Sequence, residues 1–350
     1  MSFQEVIGHA TAIKILQNSL KEKRAGLSYL FYGPDGLGKA FVARQFAKGL
    51  NCQSQGVDCC DSCVPCLKAD KLEYPDLYWL GPSFKGSPAG LGPEEGSQSI
   101  KIEQIRFLQG AINLKPFEGR VKVFVINNCQ GLTEEAANCL LKVIEEPPFD
   151  SVVILITSSL RSVLPTIASR CQKIKFSNLA RAEVRAALER VHNLDSQQSR
   201  YLSFYLDARI GDALSLSRSD FFAQRALILD KFLHSQTQSS GKDLPPHPAS
   251  SQKDCINLAG CGGLFKDKAK TTQALSILIS WFRDLLFVKL DLGSEYLINQ
   301  DRLSEIAQEA PLYSYAQLLA VLNCLAKSFE HLKQNVNVRL IADNLWANLT

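Results

Sequence analysis

The chain has 350 residues, of which 46% are hydrophobic and 21% are charged, a composition typical of a folded protein with two or three domains rather than a disordered one. Its 39 Lys and Arg against 35 Asp and Glu leave a net charge of +4, too small to indicate nucleic-acid binding without a local basic patch. No apolar run reaches the length of a membrane span, and the sequence starts with neither a basic nor an apolar region, so we expect a cytoplasmic protein without membrane contact.

A glycine-rich stretch from residue 33 to residue 40, Gly-Pro-Asp-Gly-Leu-Gly-Lys-Ala, has the spacing of a phosphate-binding loop. In such a loop the glycines let backbone N–H groups turn toward phosphate oxygens, and the lysine reaches the outer phosphates. The apolar run Ser28 to Tyr32 predicts a strand before the loop, and the period of the apolar residues from Val42 to Leu50 predicts a helix after it. The candidate nucleotide-contacting residues are Gly33, Gly36, Gly38 and Lys39.

The groups that would hold Mg²⁺ are missing from this motif. The pattern ends in Ser or Thr, whose hydroxyl binds the metal, but this chain has Ala40. The next apolar strand, Lys122 to Ile126, ends in Asn127 and Asn128, where an enzyme of phosphoryl transfer carries carboxylates. Since the amides lack both charge and basicity, we expect ATP or ADP to bind weakly if at all and Mg²⁺ not to bind.

Five of the eleven cysteines lie between residues 52 and 66, which in a chain without an export signal is typical of a metal site rather than of disulfides. The two-residue gaps between Cys60, Cys63 and Cys66 let their thiolates converge on one tetrahedral ion, and Cys52 is near enough to complete it. We predict a structural Zn²⁺ held by Cys52, Cys60, Cys63 and Cys66, with Cys59 as an alternative to Cys60. Several unrelated buried or free thiols are the competing interpretation.

Strands alternate with helices through residue 176, which predicts an α/β domain with a parallel sheet and helices on both faces. Val152 to Ile156 and Ile174 to Phe176 are the third and fourth predicted strands. Beyond residue 177 only helical patterns remain, with one apolar face at Leu202, Leu206 and Ile210. By composition, residues 81–99 are a loop and residues 236–254 are a low-complexity linker.

Taken in order, these motifs resemble the AAA+ clamp-loader subunits of bacterial DNA polymerase III, and within that family the delta-prime group. The order and spacing of several short motifs carry the resemblance, since each alone is weak. Besides the phosphate loop and the cysteines they are Val6-Ile-Gly8, Ile102-Glu-Gln-Ile-Arg106, Asn138-Cys-Leu-Leu-Lys-Val-Ile-Glu-Glu-Pro-Pro148, Ser169-Arg-Cys171 and Asn335-Val-Asn-Val-Arg-Leu340.

The resemblance implies an AAA+ P-loop core with a parallel sheet, followed by a small helical lid and an all-α C-terminal collar domain. The corresponding boundaries are residues 1–176 for the core with a zinc-binding insertion at 52–66, residues 177–218 for the lid, and residues 219–350 for the collar with a flexible segment at 236–254.

The resemblance also implies a hetero-pentameric ring, with motor gamma/tau-like and delta-like subunits as neighbours, that places a sliding clamp on primed DNA. Each nucleotide in such a ring lies between two subunits. Arg170, in the Ser-Arg-Cys motif, would therefore act in trans as an arginine finger on a neighbour's nucleotide. Gly211 stands where active relatives carry a sensing arginine, a further loss in this chain's own site.

The leading hypothesis is thus a non-hydrolysing subunit that completes the clamp-loader ring and donates Arg170 to its neighbour. One alternative is an active ATPase motor subunit of the same loader, with an unusual Mg²⁺ arrangement. A second alternative, of another class, is a zinc-bearing nucleic-acid-binding protein. The acidic residues Asp58 and Asp61 beside the cysteines disfavour this last hypothesis.

Overall fold

The computed structural model describes residues 2–22, 27–81, 99–148, 150–217, 219–238, 267–334 and 336–349. Across these residues the chain forms five strands and fourteen α-helices. The strands are β1 (Leu27–Tyr32), β2 (Leu77–Leu80), β3 (Lys122–Ile126), β4 (Ser151–Thr157) and β5 (Gln172–Lys175). The helices are α1 (Ala10–Lys21), α2 (Lys39–Asn51), α3 (Val64–Asp70), α4 (Ile102–Ile112), α5 (Glu134–Glu145), α6 (Pro165–Arg170), α7 (Arg181–His192), α8 (Ser196–Tyr205), α9 (Ile210–Ser217), α10 (Phe221–Gln238), α11 (Lys268–Lys289), α12 (Leu303–Glu309), α13 (Tyr315–Lys333) and α14 (Val338–Leu349).

The five strands form one parallel sheet in the order β2-β3-β4-β1-β5. In the register of the central pair, Leu30 of β1 lies beside Leu155 of β4. Every residue of β3 and β4 is buried, as expected for inner strands of a parallel sheet covered on both faces. The predicted α/β fold class, with a parallel sheet and a helical remainder, is confirmed.

The two faces of the sheet support two separate apolar cores, because successive side chains of a strand point to opposite faces. Tyr29 and Phe31 of β1 pack in one core with residues of α1 and α2. Leu30, between them in sequence, packs in the other core with residues of α4, α5 and α6. Helices α2 and α5 are therefore held on opposite sides of the sheet.

The described residues divide into two compact units, Met1–Ala187 with Asp207–Asp212, and Leu188–Leu206 with Ala213–Thr350. The second unit is helical and contains a buried arginine, Arg225, which pairs with Asp301 at 2.7 Å and lies 4.1 Å above the ring of Tyr201. The predicted division into core, lid and collar stays a prediction. None of the helices in the described part of the chain is long and apolar enough to cross a membrane.

The structure corrects some details of the sequence interpretation. Strand β2 was not predicted, because four residues give too short a pattern. The face proposed for Leu202, Leu206 and Ile210 is wrong: Leu206 follows α8, and after a turn with positive φ at Asp207 and Ala208 the chain begins α9 at Ile210. The linker was predicted to begin at residue 236, but α10 extends to residue 238. The rest of that linker, and residues 82–98 of the predicted loop, lie outside the described residues.

Candidate nucleotide pocket, cysteine cluster and exposed arginine

The phosphate-binding loop connects the end of β1 to the start of α2, as the sequence predicts. Three of its positions favour glycine, among them Gly38 with φ +83°. Gly33 has φ +146°, and a Cβ atom there would lie 2.1 Å from the carbonyl oxygen of Phe176. Gly36 has φ +77°, a conformation that other residues rarely adopt. The glycines therefore let the backbone follow a path that no side chain would permit, which is what a phosphate loop requires.

Lys39, at the first position of α2, is buried inside the loop. Its ammonium donates hydrogen bonds to the backbone carbonyl oxygens of Gly33 and of Pro34, the latter at 2.6 Å, and lies 3.6 Å from Asp35. Burial lowers the pKa of Lys39, while the charges of Asp35 and Asp212 act in the opposite direction. The lysine thus makes its contacts within the loop, and a phosphate would have to displace some of them.

A cavity of about 450 Å³ opens at this loop, where the carboxyl ends of the strands meet. Ala40, Asn127 and Asn128 line it, so the positions expected to hold Mg²⁺ present a methyl group and two neutral amides. Thr157, at the end of β4, also lines it, and its hydroxyl donates to the carbonyl oxygen of Ser159 at 3.0 Å. The cavity can surround a small polar ligand, but the residues described here supply no carboxylate from the strand ends.

The first turn of α9 contacts the phosphate loop. The backbone N–H of Gly211 donates to the carbonyl oxygen of Gly36 at 2.7 Å. The carboxylate of Asp212 lies so close to Gly36 that a Cβ atom built there would be 2.4 Å from Oδ2. Asp212 also pairs with Arg209 at 3.1 Å. Asp35 and Asp212 thus both line the cavity, where each carboxylate is paired with a cation, Lys39 and Arg209 respectively.

At the opposite end of α2, four cysteine thiols converge. The sulfur atoms of Cys52, Cys60, Cys63 and Cys66 all lie within 4.8 Å of one another. A tetrahedral Zn²⁺ with bonds of about 2.3 Å places its sulfurs about 3.8 Å apart, so a small contraction would complete the site. Cys52 caps the C-terminus of α2 and Cys63 caps the N-terminus of α3. Four thiols with no other ligand in the group match a closed structural zinc site.

Hydrogen bonds within the cluster favour the thiolate form that a metal requires. The backbone N–H of Cys60 donates to the sulfur of Cys52 at 3.3 Å, and that of Cys63 donates to the sulfur of Cys60 at 3.4 Å. Hydrogen bonds from the side chain and backbone of Ser62 and from the backbone of Cys63 lower the pKa of Cys60 to about 5. Burial acts in the opposite direction on Cys66 and raises its pKa, so Cys60 ionises more readily than Cys66 before a metal binds.

Cys59, the alternative ligand, lies apart from this group. Its sulfur is 3.7 Å from the side-chain oxygen of Gln45 and 3.6 Å from a carboxylate oxygen of Asp61. Burial raises the pKa of Cys59 to about 12, which disfavours a thiolate. The geometry thus favours Cys60 over Cys59 as the fourth ligand.

A buried lysine ties α2 to the cysteine segment. The side chain of Lys48 is fully buried, and its ammonium pairs with Asp61 and, at 2.9 Å, with Asp70 of α3. Although burial acts to lower it, the hydrogen bonds to both carboxylates raise the pKa of Lys48. The charged lysine therefore holds the segment that carries Cys60 and the helix that carries Cys66 against the end of α2.

Arg170, the predicted arginine finger, is exposed at the C-terminus of α6 and lies outside the nucleotide cavity of its own chain. Its Nη2 is 2.9 Å from Oε1 of Glu145, the last residue of α5. Its Nη1 donates to the carbonyl oxygen of Thr166 at 3.1 Å. Arg170 therefore does not line the cavity that Lys39 lines.

Two family models match this chain in succession. The model described as DNA polymerase III, delta subunit, matches residues 8–180, and the model described as DNA polymerase III, delta subunit, C terminal, matches residues 251–349. Subunit delta' of DNA polymerase III from Bacillus subtilis is 29% identical over 334 residues, which cover 95% of this chain and 93% of the relative. This chain belongs to the clamp-loader family of DNA polymerase III subunits. The resemblance inferred from the motifs is confirmed.

Other clamp-loader subunits are also similar to the chain. Subunit tau of DNA polymerase III from Bacillus subtilis is 26% identical over 356 residues, covering 97% of this chain but only 59% of the relative. The similarity to the solved structure of the Bacillus subtilis DNA clamp loader delta protein covers 96% of this chain and 99% of that chain, at 13% identity and a TM-score of 0.37.

Two residues of this clamp-loader subunit were not assigned a role from the sequence. Asp212, the residue after Gly211, was given no role, although its carboxylate reaches the phosphate loop. Glu145 was quoted only as part of a family motif, although it pairs with Arg170. No periodic pattern in the sequence predicts either contact. For Asp212, the usable indication was an acidic residue directly after Gly211, the position of the missing sensing arginine.

Proposed function

We propose that this chain is the non-hydrolysing, delta-prime-like subunit that completes the clamp-loader ring of DNA polymerase III. The observation that carries the proposal is the contrast between two sites. The chain's own cavity has Ala40, Asn127 and Asn128 where metal ligands are needed, while Arg170 is exposed and outside that cavity. The chemistry then takes place in a neighbour's site, to which this subunit contributes a cation.

The proposed mechanism is electrostatic. In phosphoryl transfer, negative charge develops on the oxygens of the transferred group, and an arginine supplied by a neighbouring chain stabilises it. A guanidinium suits this task because it is always charged and presents several donors in one plane. Arg170 would bind the outer phosphate of the neighbour's nucleotide and lower the barrier to hydrolysis there.

The partners in this proposal are motor gamma/tau-like and delta-like subunits in a hetero-pentamer, the sliding clamp, and primed DNA contacted through the assembled complex. The support is that the relatives of this chain are themselves subunits of DNA polymerase III. The family assignment also supports a cytoplasmic location at the replisome. Lys39 and the loop glycines could still retain ATP or ADP weakly, without Mg²⁺.

We further propose that Cys52, Cys60, Cys63 and Cys66 hold a structural Zn²⁺. The support is the convergence of the four sulfurs and the ready ionisation of Cys60. With every position taken by a thiolate, the ion would cross-link the segment after α2 to α3 and perform no catalysis.

The test is ATP turnover by the reconstituted loader in the presence of primed DNA and the clamp. Arg170→Ala should lower turnover by at least about tenfold, because it removes a transition-state contact, and ring assembly by gel filtration should be unchanged. Arg170→Lys should recover only part of the loss, and Lys173→Ala, which removes a nearby exposed cation, should have no effect. Full turnover by Arg170→Ala would contradict the role in trans.

The motor subunit is the second candidate, because the loop geometry and Lys39 are retained. It predicts that the isolated chain hydrolyses ATP and that Lys39→Ala abolishes this activity. We expect no turnover by the isolated chain. Steady hydrolysis that Lys39→Ala removes would favour the motor over the non-hydrolysing subunit.

A further inference from the structure

We propose that Glu145 is a positioning residue that fixes the direction of the Arg170 guanidinium toward the neighbouring subunit. This inference rests on the proposed function, because it assigns a partner within the chain to the arginine donated in trans. Glu145 would act through Arg170 and would not itself touch the nucleotide.

The two side chains are carried on well-fixed helix ends. Helix α5 ends at Glu145, and helix α6 ends at Arg170. Ile144, directly before Glu145, and Ile167, within the last turn before Arg170, are both buried in the same apolar core. Since this core anchors both helix ends, the backbone keeps the two side chains within reach of each other, and their charged groups lie 2.9 Å apart.

The pattern of hydrogen bonds leaves most of the guanidinium available. Arginine has five N–H donors. Nη1 donates a hydrogen bond to Thr166 and Nη2 forms an ion pair with Glu145, so at least three donors remain for an anion. Two contacts hold the group in one orientation, and the remaining donors can meet the oxygens of a phosphate. Arg170 is thus partly pre-organised before a neighbour arrives.

A purely stabilising role is a poor explanation for this pair. The side chains of Arg170 and Glu145 are 42% and 46% exposed, and an ion pair of that exposure contributes little to folding stability. Its loss should therefore leave the fold intact and widen the range of directions in which the arginine points. The effect should appear in the rate of the neighbour's reaction, where a small displacement of a charged group is costly.

The experiment uses the complete reconstituted loader and measures kcat and KM for DNA-stimulated ATP hydrolysis, with ring assembly and melting temperature followed for each variant. Glu145→Ala is expected to lower kcat about threefold to tenfold and to leave KM within about twofold, because the contact acts on the transition state. Glu145→Gln, which keeps the acceptor but not the charge, should fall between Glu145→Ala and the unmodified subunit. Glu146→Ala, the adjacent exposed carboxylate, is the matched control and should leave both constants unchanged.

A double variant decides whether Glu145 acts through Arg170. The loader with Glu145→Ala and Arg170→Ala together should be no slower than the loader with Arg170→Ala alone. A further loss in the double variant would overturn the inference, because Glu145 would then act by another route. Normal turnover of Glu145→Ala beside impaired Arg170→Ala would also overturn it but leave the proposed function standing. Normal turnover of Arg170→Ala would refute both.

Discussion

The two ends of helix α2 offer a direct comparison between two candidate binding sites. At its N-terminus lies the phosphate loop, where the glycines and Lys39 keep the shape of a nucleotide site. At its C-terminus Cys52 caps the helix and joins three other thiols. The first end has Ala40, Asn127 and Asn128 where metal ligands are expected, while the second brings four thiols together. The backbone shape of a site is therefore separable from the chemistry of its ligands, and only the ligand chemistry predicts what the site can hold.

The contacts around the two ends of α2 also differ. At the phosphate loop, Lys39 donates to loop carbonyls and Asp212 lies against Gly36, so the polar groups satisfy one another within the chain. At the cysteine end, the buried charge of Lys48 is matched by two carboxylates, and the four sulfurs face one another. Three substitutions, each with a comparison variant, test this difference between the two ends of α2.

The largest effect is expected at the cysteine end. Cys63→Ser removes one of four ligands, and we expect the bound metal to fall from one ion per chain to none after chelator treatment and gel filtration. Because metal binding is coupled to folding, the free energy of unfolding should fall by several kcal/mol, on the order of 3 to 5. Metal content by mass spectrometry and denaturant unfolding measure the two effects.

Cys59→Ser is the matched control for that prediction. It changes a neighbouring thiol whose sulfur faces Gln45 and Asp61 instead of the cluster, so the metal should be retained at one ion per chain. Loss of metal from Cys59→Ser with retention in Cys60→Ser would reverse the choice of Cys60 over Cys59. A metal-free chain of normal stability would contradict the zinc site altogether.

The next effect concerns the lysine that braces the cluster. Lys48→Met leaves Asp61 and Asp70 without their shared cation, and we expect the free energy of unfolding to fall by about 2 to 3 kcal/mol. Lys68→Met, in α3, breaks an exposed ion pair with Glu118, and the free energy of unfolding should fall by less than about 1 kcal/mol. Urea unfolding of both variants gives the comparison, and equal losses would contradict the structural importance of the buried pair.

Sequence reasoning succeeded where a site is built from neighbours along the chain. The spacing of Gly33, Gly38 and Lys39 located the phosphate loop between a strand and a helix, and the two-residue gaps of the cysteines located the cluster. Both motifs specify their own geometry, because a few covalently adjacent residues bring the ligand atoms together. The apolar runs of β3 and β4 were equally clear, since strands buried on both faces are apolar throughout.

The sequence did not predict contacts that join distant parts of the chain. Asp212 reaches Gly36 only because α9 begins beside the phosphate loop, and no periodicity predicts that approach. The pairing of Glu145 with Arg170 depends on how α5 and α6 end in the core. Strand β2 is recognised by its pairing with β3 rather than by its own four residues. In each case tertiary packing supplies the information.

The smallest effect is expected at the phosphate loop, where Asp212→Asn removes a negative charge from the edge of the cavity. At an effective dielectric constant of about 20, one charge about 10 Å from another contributes on the order of 1.5 kcal/mol, so ATP or ADP should bind up to about tenfold more tightly. Nucleotide titration of the isolated chain measures this affinity, and the gain should shrink at high salt.

Ala40→Thr alone should change the affinity for nucleotide by less than about twofold, because Asn127 and Asn128 still offer Mg²⁺ no carboxylate. Unchanged affinity of Asp212→Asn at low salt, or Mg²⁺-dependent tight binding by Ala40→Thr, would mean that these contacts do not determine what the cavity accepts.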